Sequence, residues 1–306
     1  MSKTHLITAR LGLGTAQFGM DYGVSNHSGQ VPASEVAKIL DLAGSNGINT
    51  IDTASAYGNA ELVLGQSMAE RHGFRVVTKT PQFLSDVISP GDGERLKETC
   101  LESLRRMNQK ALYGLLIHNC EDLLKVSGEH LLAALRELRA RRLVRKIGVS
   151  VYSESQIDRL LGMFTPDLIQ LPLNVFDQRL IWSRRLADLK SLGVEIHARS
   201  AFLQGLLLME PGELPSHLNG VRDHLRAYRQ ALVAYELTPV QAAIQFALAR
   251  PEIDTVIVGV CSAEDLAQIC EAARQPVCAA FDYRRWRIDD PDILDPSRWR
   301  IEESLT

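Results

Sequence analysis

The sequence predicts a parallel α/β fold closed into a (β/α)8 TIM barrel, formed as a single domain over residues 1–306. Three observations lead there. Eight short runs are nearly continuous in apolar character, as parallel strands buried on both faces are. Amphipathic stretches lie between most of them, which calls for crossover helices. No linker rich in Pro, Gly or Ser divides the chain.

The expected strands are residues 11–15, 49–54, 75–79, 113–118, 146–151, 168–173, 193–199 and 255–260. The first is the weakest. Helical spacing marks 34–46, with Ser34 as its cap and Gly47 past its end. It marks 93–107 through Leu96, Cys100, Leu101 and Leu104, and 129–142 through Leu131, Leu132, Leu135 and Leu138. Residues 153–164 open with a Ser cap and stop before Pro166. Residues 239–249 follow Thr238, with Pro239 in the first turn. The long interval 200–254 calls for a loop after the seventh strand and at least one added helix. From about residue 281 a charged, Trp-bearing tail is expected to fold over one end of the barrel, with Trp286 and Trp299 as packing anchors.

Composition narrows the function. The chain is 45% apolar and 23% charged, with a net charge of −3. That balance excludes the basic footprint of a nucleic-acid binder. The cluster Arg139, Arg141, Arg142, Arg145 and Lys146 reads as a solvated helix end, favoured by the helix dipole. Five cysteines without C-x-x-C spacing indicate neither a disulfide framework nor a zinc site, and a cytoplasmic location with reduced thiols is expected. Residues 1–10 lack the apolar core of a signal peptide, and no apolar run is long enough to span a bilayer.

Barrel enzymes place their chemistry at the C-terminal ends of the strands. Four ionisable residues fall there: Asp52 and then Tyr57 after strand two, Lys79 at the end of strand three, and His118 at the end of strand four. Together they suit carbonyl reduction. Hydride delivery to a carbonyl builds an alkoxide that needs a proton. A free phenol holds its proton up to about pH 10. A neighbouring ammonium favours the phenolate. A carboxylate holds that ammonium in place, and an imidazole orients the substrate oxygen.

The segment Asp52-Thr53-Ala54-Ser55-Ala56-Tyr57-Gly58-Asn59-Ala60-Glu61 resembles the signature of the aldo-keto reductases. Lys79 in Val76-Val77-Thr78-Lys79 and His118 in Leu116-Ile117-His118 follow in the order of that family, and Gly12-Leu13-Gly14-Thr15 matches its opening. Gly148-Val149-Ser150, Ile169-Gln170 and Ile257-Val258-Gly259 resemble its fifth, sixth and eighth strands, so the similarity runs from Leu11 to about Arg274. The resemblance implies a catalytic tetrad of Asp52, Tyr57, Lys79 and His118, with Tyr57 as the acid.

It also implies a nicotinamide dinucleotide held without a Rossmann fingerprint, and Gly12-Leu13-Gly14 indeed fails the G-x-G-x-x-G spacing. By resemblance Ser150 and Gln170 hold the carboxamide. Val151 stands where relatives often carry Asn, which leaves Asn174 as a possible substitute. Arg199 takes the place of an aromatic ring that stacks on the nicotinamide; a rim salt bridge is the competing reading. Gly14, Thr15, Ser200, Gln204, Gly205, Gly259 and Ser262 complete the expected cofactor contacts. Resemblance puts NADPH first and NADH second, although the segment 259–265 has acidic residues in place of the basic ones that would pair a 2′-phosphate.

The polar loop 17–30 is expected at the pocket mouth, with Phe18 and Tyr22 as walls, which suits a small-molecule carbonyl bearing hydroxyls, such as a sugar. Two other readings stand beside this one: a cofactor-binding regulatory protein with little turnover, and a Schiff-base lyase using Lys79.

Overall fold

The computed structural model describes residues 7–68 and 73–299. Eight strands close a barrel in sequence order, and every neighbouring pair is parallel. They are β1 (Leu11–Gly14), β2 (Thr50–Asp52), β3 (Arg75–Lys79), β4 (Leu112–Ile117), β5 (Val144–Ser150), β6 (Leu168–Pro172), β7 (Glu195–Arg199) and β8 (Thr255–Gly259). The strand β5 begins two residues earlier than its apolar pattern suggests. Arg145 therefore belongs to the strand, with Lys146, rather than to the end of the preceding helix. They lie against the Tyr113 ring, 5.7 and 5.3 Å from its centroid.

The helices cover the barrel as expected, with local signals deciding their ends. Ser89 and Asp92 form a reciprocal cap for Pro90–Arg106, and Thr238 and Gln241 do the same for Pro239–Leu248. Ser153 caps Glu154–Leu161. Ser34 does not cap its helix: Ala33–Ser45 starts after Pro32, whose fixed φ suits a helix entry but offers no side-chain acceptor. Among the helical segments that had escaped the pattern are Ala60–Ser67 after β2 and Arg185–Ser191 after β6. Both are short. The interval after β7 holds three 3-10 turns and the helix Arg222–Ala234 before Pro239–Leu248.

Two features fix how the strands approach one another. Gly148 in β5 lies so close to β6 that a Cβ there would sit 1.8 Å from the Leu168 carbonyl oxygen. At the N-terminal end, Glu195 collects Tyr113 Oη at 2.7 Å, His197 Nε2 at 2.8 Å and the Lys146 ammonium. Burial opposes its charge, yet these bonds hold the Glu195 carboxyl well below the usual range. These bonds tie the start of β7 to β4 and β5.

The tail packs as Phe281, Tyr283 and Trp286 against Tyr228, with Trp286 buried and its ring 5.4 Å from that of Tyr228. Trp299 is partly buried, and its indole N–H donates to the Ile293 carbonyl at 3.3 Å. Pro296 and Ser297 then reach the open, C-terminal mouth. Among the described residues no single helix is long and apolar enough to cross a membrane.

Candidate active site

Neighbouring strands deliver the central pair. Asp52 ends β2 and Lys79 ends β3, and both are buried. Lys79 Nζ donates to both Asp52 oxygens, at 2.9 and 2.7 Å, and to the Thr53 carbonyl at 2.9 Å. Its remaining approach is to Tyr57 Oη, at 3.4 Å. Burial disfavours the ammonium, but Asp52 and Tyr57 outweigh it and raise the Lys79 pKa above its ordinary value. Lys79 therefore stays charged, with its free direction toward the phenol.

Tyr57 sits on the turn between β2 and the helix Ala60–Ser67. Its carbonyl accepts from Ala60 N at 2.9 Å. The turn is pressed against the first loop of the barrel. A Cβ on Gly19 would lie 1.9 Å from the Tyr57 carbonyl oxygen, and one on Gly58 would lie 2.1 Å from that of Gly19. Gly58 also has φ +54°, a conformation that glycine adopts without steric cost. Two glycines thus let the loops after β1 and β2 meet and fix where the phenol stands.

His118 follows β4. Its ring meets that of Tyr57 edge-on, with centroids 5.8 Å apart. Nδ1 is buried without a partner. Burial, helped by the Lys79 charge, brings the His118 pKa down to about 4. The imidazole is neutral at physiological pH. Gln170, on β6, donates Nε2 to Asp52 Oδ1 at 2.7 Å and leaves its buried Oε1 unpaired.

These groups open into a cavity of about 720 Å³. Gly14, Thr15, Ser150, Gln170, Arg199, Ser200, Gln204, Gly205, Gly259, Ser262 and Tyr22 all line it, together with Asp52, Tyr57, Lys79 and His118. Phe18 does not. It lies in the helical turn Ala16–Gly19, which directs its ring into the core, where it is fully buried; the pocket wall expected of it is corrected on that ground. Asn174 is also engaged elsewhere. Its Oδ1 accepts from Phe176 N and Asp177 N, both at 2.9 Å, and its amide donates to the Ser200 carbonyl at 3.1 Å. Both ends of its side chain shape the loop after β6.

Arg199 makes no ion pair among the described residues. Its guanidinium lies over the Tyr152 ring, 4.1 Å from the centroid, and donates to the Val151 carbonyl and to Ser200 Oγ, each at 3.2 Å. A rim salt bridge is not what holds it. The loop that follows is strained: Ser200, Leu203 and Gln204 have φ of 59°, 50° and 53°. The Gln204 carbonyl accepts from Val24 N at 3.0 Å, and its Nε2 donates to Tyr22 Oη at 3.2 Å, so the loops after β1 and β7 join across the cavity. Burial, with Tyr57 nearby, pushes the Tyr22 phenol up to about 12.

The sequence reading missed Tyr152 and Glu35. Tyr152 stands two residues past Ser150, and an aromatic residue at a strand end was a usable signal. Glu35 carried none: it reaches the amide of Ala263, 228 positions away.

A buried ammonium near a phenol, beside a neutral imidazole, stands at the open end of a parallel barrel and marks that end as the candidate active site. Residues 10–286 match the model of the aldo/keto reductase family, and the chain belongs to that family. Carbonyl reduction is its general chemistry, and the chain is an oxidoreductase. It is 27% identical over 281 residues to the uncharacterized oxidoreductase YqkF of Bacillus subtilis, spanning 85% of this chain and 90% of that protein. It is 25% identical over 285 residues to L-galactose dehydrogenase of Arabidopsis thaliana, spanning 88% and 85%. Among solved structures, the holo form of the aldo-keto reductase AKR11C1 from Bacillus halodurans superposes with a TM-score of 0.72 at 22% identity, covering 89% of this chain and 88% of that one.

The His118 shift has a readable consequence. Its pKa near 4 lies below the unfolded value of about 6.5, so the unfolded chain takes up this proton first. The associated stability is complete above pH 6.5 and is lost as pH falls toward 4. His118→Asn is expected to flatten the decline in denaturation midpoint over that window. An NMR titration that puts the His118 midpoint near 6.5 would contradict the placement.

Proposed function

We propose that this protein reduces an aldehyde or ketone to an alcohol, or runs the reverse, with a nicotinamide dinucleotide as redox partner and Tyr57 as general acid. The observation that carries the reading is the approach of Lys79 Nζ to Tyr57 Oη at 3.4 Å, with every other direction of the ammonium taken by Asp52 and Thr53.

The residues present fit the cofactor. Gln170 Oε1 is a buried acceptor without a partner, suited to the N–H of a carboxamide, and Ser150 lines the same cavity. The AKR11C1 relative was solved in a holo form. When bound, the reduced nicotinamide supplies a hydride, two electrons and one proton, to the carbonyl carbon. The chain supplies the rest. His118, neutral, donates a hydrogen bond that orients the carbonyl oxygen. Tyr57 passes its proton to that oxygen as negative charge gathers there, and the phenolate left behind is stabilised by the Lys79 ammonium. Asp52 holds the ammonium still. Proton transfer by a positioned acid of this kind contributes about 10²–10⁴-fold. A Schiff-base role for Lys79 does not suit an amine held charged by a carboxylate, because only a neutral amine attacks a carbonyl.

The substrate fits the description of a small hydroxylated carbonyl, such as a sugar, since Tyr22, Asn26, His27 and Ser28 line the mouth. Neither nucleic acid nor a membrane is part of the reading, and the five free thiols suit a reducing compartment such as the cytoplasm. Arg199 would stack on the nicotinamide ring with the guanidinium face that Tyr152 does not cover. Its charge then favours the neutral reduced ring over the cationic oxidised one.

Tyr57→Phe should lower kcat by about 10²–10⁴-fold on aldehydes with dinucleotide affinity unchanged. Turnover near the parent rate would remove the assignment. Arg199→Ala should weaken binding of the reduced dinucleotide several-fold more than that of the oxidised form, read by calorimetry. Equal effects on both would exclude the stacking role.

A further inference from the structure

The cavity is uneven in charge. Its chemical end carries the unpaired Arg199 and the paired Lys79. Its other arm runs along the loop after β8 and the start of the helix Ala263–Arg274, past Cys261, Ser262, Asp265 and Gln268. Barrels of this type bind phosphate groups at the loops after strands seven and eight and at a helix start. The free amides and dipole of a helix N-terminus make that corner receptive to anions.

Here the amides of Cys261, Ser262 and Ala263 are taken by the protein's own carboxylates. Asp265 Oδ2 accepts from Cys261 N at 2.9 Å and from Ser262 N at 3.0 Å. Ser262 Oγ accepts from Asp265 N at 3.0 Å. Glu35, on the helix Ala33–Ser45, accepts from Ala263 N at 2.9 Å through Oε1. The Ala263 amide holds the Glu35 carboxyl below its ordinary range, so it stays ionised. The cation that Glu35 brings with it, Lys38, is bound to its other oxygen at 2.9 Å. Asp265 Oδ1 takes part in none of these bonds and belongs to a residue that lines the cavity.

We propose that Asp265 and Glu35 make this arm selective for a ribose diol over a phosphorylated ribose, so that the protein uses NADH in preference to NADPH. The inference rests on the groove being the dinucleotide site, as proposed above. A 2′-phosphate placed here meets the Asp265 carboxylate and finds the Ala263 amide already held by Glu35 from behind; like charges so juxtaposed are strongly unfavourable. A 2′-hydroxyl instead finds a carboxylate oxygen ready to accept its hydrogen bond, the device by which an acidic residue selects NAD in open α/β folds. The order expected from resemblance alone is thereby reversed.

Calorimetric titration of the intact protein with NADH and NADPH, repeated with ADP and 2′,5′-ADP as probes that lack the nicotinamide, tests this without turnover. NADH should bind about tenfold or more tightly than NADPH, and the gap should narrow as salt is raised. Asp265→Asn and Glu35→Gln should each shift the ratio several-fold toward NADPH. Glu35→Gln leaves the Ser262–Asp265 cap intact, so it stands as the test if Asp265→Asn disturbs the helix start. NADPH binding as tightly as NADH in the parent protein, or a ratio unmoved by both substitutions, would overturn the selectivity while leaving the redox reading in place. Binding of neither dinucleotide would overturn both.

Discussion

The buried pair between Lys79 and Asp52 is the interaction on which the site depends. Side chains 1% and 6% exposed carry opposite charges into a medium that penalises each of them. Removing one partner of such a pair typically costs about 3–5 kcal/mol, because the other charge is left without compensation. The pair persists because its bonds are nearly complete: Asp52 receives Lys79 twice and Gln170 once, and Lys79 adds the Thr53 carbonyl. The same ammonium also stands 3.4 Å from Tyr57 Oη. A chain selected only for stability would gain little from placing a charge there; the arrangement fits the role proposed for Tyr57.

The two ends of the barrel carry different polar groups. At the N-terminal end Glu195 binds Tyr113, Lys146 and His197. At the C-terminal end His118 Nδ1 and Gln170 Oε1 are buried without partners, and Arg199 makes no ion pair among the described residues. His118 and Gln170 both line the cavity, where a ligand can meet them. The strained backbone from Ser200 to Gln204 lies at the same end, bridged to Tyr22 and Val24, which suits a loop shaped around a bound molecule rather than one chosen for its own stability.

Much of this was legible in the sequence. Strands buried on both faces write continuous apolar runs, and a polar residue ending such a run is conspicuous; Asp52, Lys79 and His118 were found that way. Helix ends with a Ser or Thr acceptor, such as Ser153 and Thr238, were equally plain. What escaped depends on approach in space. The bond from Glu35 to Ala263 joins positions 228 apart, and the contact between Arg199 and Tyr152 arises only when the ends of β5 and β7 converge at the mouth. Phe18 was misplaced because one helical turn after β1 rotates it inward, and a turn of four residues leaves no periodicity to read. Ser34 misled because Pro32 starts the helix a residue earlier.

The central claim is that the Lys79 charge makes Tyr57 an effective acid. Stopped-flow absorbance of the reduced nicotinamide, with dinucleotide bound in advance and Lys79→Met compared with the parent protein, reads the chemical step alone, once circular dichroism shows both folded. This step is expected to slow by about 10²–10⁴-fold in Lys79→Met while dinucleotide affinity changes little. Hydride transfer at the parent rate in Lys79→Met would contradict it.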